Sequence, residues 1–284
     1  MSDTPQHTAV DLSDQAEIRW DLTGRMTYGD YLGLDRLLNA QRPVSGEHDE
    51  MLFIVIHQTM ELWIKLCLHE IRAAMDHIAD DDLGPVFKML SRVARVQTQM
   101  LQSWETLATM TPTDYLRFRD GLESGSGFQS HQYRMLEFTL GNKNRKLAEV
   151  HKSVPERYAQ VRAALDAPSL YDECLRLLAR RGFDIAADRV ERDWSAPYRA
   201  HDSVEAAWHA VYDDAKRHWE LYDLAEKLVD LEHRFQQWRF AHMKTVERII
   251  GHRRGTGGTT GVSYLVRALD LKFFPELWSV RTRL

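Results

Sequence analysis

The chain has little sulfur with which to staple itself: 284 residues contain only two cysteines, Cys67 and Cys174. Neither forms a CxxC or CxxCH pattern, which excludes zinc ribbons and covalently attached c-type haem. So low a count suits a reducing compartment, and Cys67, inside an apolar run, reads as core filler. Proline is scarce too, with eight residues, as befits a chain made mostly of helices, where an interior proline costs about 3 kcal/mol. Alternating strand patterns, internal repeats and low-complexity tracts are nearly absent. No unbroken run of about eighteen apolar residues occurs, so no transmembrane helix is expected. The first twenty residues have neither a basic n-region nor an apolar h-region and do not resemble a secretory signal. Excess positive charge is also missing: the net charge is −5, which gives no reason to expect nucleic-acid or anionic-membrane partners. Together these absences point to a cytoplasmic protein with neither kind of partner.

Three site patterns fail as well. A di-iron carboxylate bundle needs Glu-x-x-His pairs, and none of the thirteen histidines has a glutamate three residues before it. His69-Glu70 begins an HExxH, but alanine stands at position 73, so there is no zincin site. The glycine-rich stretch GHRRGTGGTTG, from Gly251, lacks the GK[ST] ending of a phosphate-binding loop.

What is present is helical periodicity. Leu221, Leu224, Leu228, Leu231, Phe235, Trp238, His242, Thr245 and Ile249 are spaced alternately by three and four residues, which puts all of them on one face of one helix. Glu226, Lys227, Glu232, Arg234 and Arg239 lie off that stripe. His242 occupies a rung where leucine would be expected, and just beyond the ladder Gly251 opens a segment too glycine-rich to stay helical. A second imidazole, His57, follows six consecutive apolar residues, Met51 to Ile56, in another core helix. Phe53 shares its face at i, i+4.

Other helices are legible from their caps. Thr27 caps a helix over TYGDYLGLDRLLNA, with Asp30 at the favoured third position. Tyr28, Tyr31 and Leu32 form an aromatic cluster on it. Pro85 opens a helix that turns Val86, Leu90, Val93, Met100, Trp104 and Leu107 inward. Thr111-Pro112-Thr113-Asp114 starts a short helix on which Tyr115 and Arg119 point the same way. A loop over 123–127 precedes a helix from Phe128. Residues 141–200 read as short helices, a lid or inserted hairpin. The expected architecture is all-α: a flexible tail over 1–20, then a single helical-bundle domain over 21–284.

The two imidazoles admit more than one reading. Each is a core histidine with a hydrogen-bond partner, or a ligand, since neutral imidazole is the commonest protein ligand to metals. A b-type haem would need one such ligand, an apolar slot and donors for its propionates. Periodicity establishes only that both rings are buried.

Three blocks carry a resemblance. FIVIHQTMELWIK from Phe53, YLRFRDGLESGSGFQSHQYR from Tyr115 and WRFAHMKTVERIIGHRRGTGGTTGVSYL from Trp238 are similar, in this order, to blocks of the tryptophan 2,3-dioxygenase family, and TYGDYL resembles its N-terminal segment. The likeness covers about residues 20–284, with 141–200 least distinctive. It implies a helical bundle around a buried, non-covalent haem b, one per subunit and ferrous when active. It also implies insertion of both atoms of O2 across the indole C2=C3 bond of L-tryptophan, giving N-formyl-L-kynurenine, the first step of tryptophan degradation by the kynurenine pathway. His242 is then the axial ligand to the haem iron, with Ser126 and Trp104 beside the haem. His57 lies opposite as the catalytic-side residue that hydrogen-bonds the indole N–H. Phe53, Ile54, Val55, Ile56 and His57 line the substrate pocket, Tyr115 and Arg119 hold the carboxylate, and Thr256 meets the α-ammonium and carboxylate. Tyr28, Tyr31 and Leu32 reach a neighbouring subunit's site in a homotetramer. The rival readings are a non-catalytic helical haem or O2 sensor and a haem-free helical interaction protein.

Overall fold

The computed structural model describes Leu12, Gln15 and residues 17–284, so most of the expected N-terminal tail lies outside the described residues. Among the described residues there are thirteen α-helices, several short 3-10 turns and no strand. The architecture is all-α. The chain divides into two compact units, Met1–Arg42 and Pro43–Leu284.

The first unit holds α1 (Tyr28–Leu32) and α2 (Leu34–Leu38). Thr27 caps α1: its hydroxyl accepts from the Asp30 amide, and the Asp30 carboxylate accepts from the Thr27 amide. One continuous helix was expected here, but Gly33, at φ 61°, breaks it into two. That left-handed conformation suits glycine and ends a helix. Neither helix buries a residue within its unit.

The second unit contains α3 (His48–Ala79), α4 (Leu83–Leu107), α5 (Pro112–Phe118), α6 (His131–Leu140), α7 (Pro155–Asp166), α8 (Leu170–Arg180), α9 (Ala187–Val190), α10 (Asp202–Asp213), α11 (Trp219–Ile250), α12 (Val262–Leu269) and α13 (Pro275–Ser279). α3 packs along α4 and also meets α6 and α8, while α11 lies against α4 and α12. One hydrophobic cluster runs through these helices. α3 starts earlier than its apolar run, because Glu50, folded back, accepts from the Val44 and Ser45 amides and ties the preceding loop down. On length and composition α3 could cross a bilayer, with an 18-residue window of mean hydropathy 1.5. It also carries Glu61, Lys65 and Glu70, and its inner face, Met60, Ile64, Cys67, Leu68 and Ile71, belongs to the cluster.

The ladder on α11 is buried at every rung except His242, which is half-buried. Each fully buried leucine there contributes about 2 kcal/mol, so the stripe fixes the rotation of α11 about its axis. Two residues assigned by the sequence to positions off the stripe, Glu232 and Arg239, are buried as well. The closing segment explains the first. The Glu232 carboxylate accepts from the Phe273 and Phe274 amides and the Trp278 indole N–H, so Phe273 to Trp278 covers a flank of α11 that periodicity left open to water. Residues 141–200 are not a peripheral lid. α8 buries Leu170 to Leu175 together with Leu177 and Leu178, and it packs on α3 and α6. The polar residues that obscured this are used internally. Asp172 closes a capping box with Ser169 and pairs with Arg192.

Candidate active site

A cavity of about 250 Å³ is walled by α3, α4, α5, α6, α11, α12, the 122–130 segment and the glycine-rich loop. Both imidazoles line it, His57 from α3 and His242 from α11. Among the described residues His242 has no hydrogen-bond partner. Its ring stacks on Trp104, with centroids 4.6 Å apart and planes 7° apart, and lies 5.5 Å from Trp238. Burial, with a smaller contribution from His57, pushes its pKa down to about 4. The ring is therefore neutral at ordinary pH, with a lone pair free. A leucine in this rung would add about 2 kcal/mol of burial, so packing does not account for an imidazole here.

His57 is arranged differently. Its Nδ1 lies 2.7 Å from the Phe53 carbonyl oxygen, an acceptor, so Nδ1 carries the proton and Nε2 is left as an acceptor. Burial lowers its pKa below the usual histidine value, opposed by the Phe53 carbonyl and by Glu61. The Phe53 ring lies against it, tilted by 37° with centroids 4.1 Å apart, and also lines the cavity. The intervening Ile54, Val55 and Ile56 do not line it: Ile56 packs on the core and Val55 is exposed.

Tyr115 reaches the cavity wall from α5, whose cap is the expected one, Thr111 with Asp114. Burial raises the Tyr115 phenol's pKa and the neighbouring Arg119 opposes it, so the hydroxyl stays protonated. Arg119 lies just past the end of α5 and is not itself a lining residue. Its Nη2 donates to the Arg254 carbonyl at 2.8 Å, and its Nε is buried without a partner. Thr256 and Ser126 line the cavity, and the Thr256 hydroxyl donates to the Gly125 carbonyl. Tyr28, Tyr31 and Leu32 belong to the other unit, where they stand 77%, 76% and 43% exposed.

Sequence comparison places this geometry. The family model for tryptophan 2,3-dioxygenase matches residues 12–164 and 162–284. The chain is 59% identical over 268 residues to tryptophan 2,3-dioxygenase 1 of Ralstonia nicotianae, covering 94% of this chain and 91% of that protein. It is 57% identical over 267 residues to the tryptophan 2,3-dioxygenase of Bacillus cereus, covering 94% and 96%. It is 56% identical over 283 residues to that of Burkholderia pseudomallei, covering 98% and 92%. The chain belongs to the tryptophan 2,3-dioxygenase family.

That family is haem-dependent, and the lining of this chain's cavity fits the group. Four N–H groups of lining side chains are buried with no acceptor: Trp104 Nε1, Trp238 Nε1, Arg134 Nε and Arg239 Nε. Unmet buried donors are costly, and a planar ligand bearing carboxylates would supply acceptors. The wall behind them was missed by sequence reasoning. Arg134 and Arg239, 1% and 3% exposed, both bond the Glu137 carboxylate, as does the Tyr133 hydroxyl. Two guanidiniums on one carboxylate leave a net positive wall. The available signal was the Arg134–Glu137 i, i+3 pair, which reads as an ordinary surface pair until α6 proves buried from Arg134 to Leu140.

Proposed function

We propose that this chain holds L-tryptophan and O2 in this cavity, both oxygen atoms entering across the indole C2=C3 bond to give N-formyl-L-kynurenine. The observation that carries the reading is the division of labour between two neutral imidazoles on one cavity: His57 offers an acceptor at Nε2, and His242 a free lone pair with no protein partner. A haem b, one per chain and not covalently attached, would supply the O2 chemistry. It would be held by the His242 imidazole, beside Trp104 and Ser126, with Arg134 and Arg239 suited to its carboxylates.

The remaining residues position the substrate. His57 Nε2 accepts the indole N–H and Phe53 lies against the flat ring. The Arg119 guanidinium, with its free Nε, and the Tyr115 hydroxyl take the carboxylate, and Thr256 meets the α-ammonium and carboxylate. Because Arg119 also donates to Arg254, a carboxylate bound there is linked to the loop that covers the cavity. Closure of that loop excludes water. The sensor reading has no use for a carboxylate clamp and is not favoured. Two buried, unpaired cysteines agree with a reducing cytoplasm.

The test is turnover of L-tryptophan by haem-loaded protein under isotopically labelled O2. The expected product carries both labelled atoms; bound haem without product, or a single label, rejects the reading. His57 orients the indole and is not an essential base, because the indole N–H is a very weak acid and positioning alone lowers barriers. His57→Ala is therefore expected to keep measurable turnover with a raised KM. N-methylation of the indole should penalise the wild type and not the variant. The pH dependence follows from the lowered His57 pKa: Nε2 accepts at neutral pH and loses that capacity as protonation sets in below about 6.5. The acid fall in kcat/KM therefore lies below that value and disappears in His57→Ala.

The exposed Tyr28, Tyr31 and Leu32 are proposed to complete a neighbouring subunit's site within a homotetramer. Light scattering tests this, and a monomer at micromolar concentration defeats it.

A further inference from the structure

The loop between α11 and α12 is seated on the 122–130 segment through one very close approach. An ideal Cβ built on Gly257 would stand 2.6 Å from the Ser126 Cβ and 2.9 Å from its Oγ. Real Cβ atoms do not come so near, and Ser126 cannot yield by rotating a side chain, because its Cβ is attached to backbone. That backbone is held. The Ser126 hydroxyl accepts from the Phe128 amide, the Ser126 carbonyl accepts from Gln129, and the Gly125 amide donates to the Leu122 carbonyl. The loop is held as well, by Thr256 donating to the Gly125 carbonyl and by Arg119 donating to Arg254. A side chain at 257 would have to push these two tethered backbones apart.

We propose that Gly257 is a positioning residue whose bare backbone admits Ser126 and so sets the closed seat of the 251–261 loop over the cavity. Resting on the reading of that cavity as the L-tryptophan site, the inference assigns to this contact the retention of substrate and not the chemical step. Gly257→Ala lifts Thr256 away from Gly125 and Arg254 away from Arg119, loosening the two loop contacts that hold Thr256 and Arg119 at the amino-acid end of the substrate. Substrate then escapes more readily, while the groups around the indole on α3 and α11 are untouched.

The pair makes its own test. Removing the Ser126 Cβ restores the space: with Ser126→Gly, the remaining neighbour of a Cβ at 257 is the Phe128 Cβ at 4.0 Å, an ordinary contact. In haem-loaded protein, Gly257→Ala is expected to raise KM for L-tryptophan at least tenfold while kcat changes less than threefold. The Ser126→Gly/Gly257→Ala double variant should recover most of that KM relative to Ser126→Gly alone. A second readout does not use turnover. Arg253 and Arg254 are exposed trypsin sites within the loop, and cleavage there should be faster in Gly257→Ala and slow again in the double variant. Equal cleavage in wild type and Gly257→Ala, or a double variant no better than the single one, overturns the proposal. Absence of tryptophan turnover in the wild type would instead reject the reading of the cavity, while the cleavage comparison would still report on the loop. If Gly257→Ala does not fold, a double variant that folds and closes supports the contact, and one that also fails overturns it.

Discussion

A His242→Ala chain is expected to purify without the Soret absorption of a bound haem and without turnover. Loss of a mere outer partner of a metal ligand costs about 10–100-fold in affinity, and loss of the ligand itself should cost more. The structure makes a sharper form of this prediction available. His242 makes no hydrogen bond and occupies a rung of the apolar stripe, so its removal leaves no group unsatisfied. His242→Leu should therefore raise the denaturation midpoint of the haem-free chain, by up to about 2 kcal/mol of added burial. It should abolish haem binding in the same step. Opposite signs for stability and for function at one position mark a residue retained for its chemistry. A Soret band of normal intensity in His242→Ala, or a clear destabilisation by leucine, would show that the imidazole has another role.

The second large effect falls at Arg119. Arg119→Gln is expected to lower kcat/KM for L-tryptophan by about 30-fold to a few thousandfold, the range that corresponds to truncating one partner of a buried charge pair at about 2–5 kcal/mol. Arg119→Lys should recover little, because an ammonium presents no planar fork to a carboxylate and cannot at the same time reach the Arg254 carbonyl. Tryptamine supplies the control. It lacks the carboxylate, so its turnover, slower from the outset, should respond much less to the substitution. An equal loss with both substrates would mean that Arg119 matters only through the loop.

Much of this arrangement is legible in the sequence where a single helix carries the information. The α11 ladder, the caps at Thr27 and Thr111, and the shared face of Phe53 and His57 all follow from spacing, because helical periodicity is local. What sequence cannot display is which helix covers which. Glu232 and Arg239 read as outward because nothing local announces that Phe273 to Trp278 and Glu137 will lie against them. α8 reads as peripheral because its Asp172 is spent on Ser169 and Arg192, and its Glu173 on Arg176, instead of water. The break at Gly33 was missed because the apolar spacing continues straight across it. At the site, the imidazoles stood out as exceptions on apolar faces. The charged wall of Arg134, Glu137 and Arg239 did not, because each member looks ordinary until all of them are seen to be dry.

The clamp on Glu232 has a consequence for how the chain is made. Its carboxylate is fully buried, and its partners begin 41 residues later, at Phe273. During synthesis α11 therefore emerges with an acidic side chain that has nowhere dry to go. An unpaired buried carboxylate is costly, so the helix cannot settle its full circumference into the bundle until residues 273–278 have been made and can fold back on it. Assembly of the cavity, which α11 shares with α3, α4, α5, α6 and α12, therefore waits for a segment that contributes nothing to its lining. A nascent chain halted anywhere before Phe273 holds every residue assigned to substrate and haem and still lacks the lock that sets them in place.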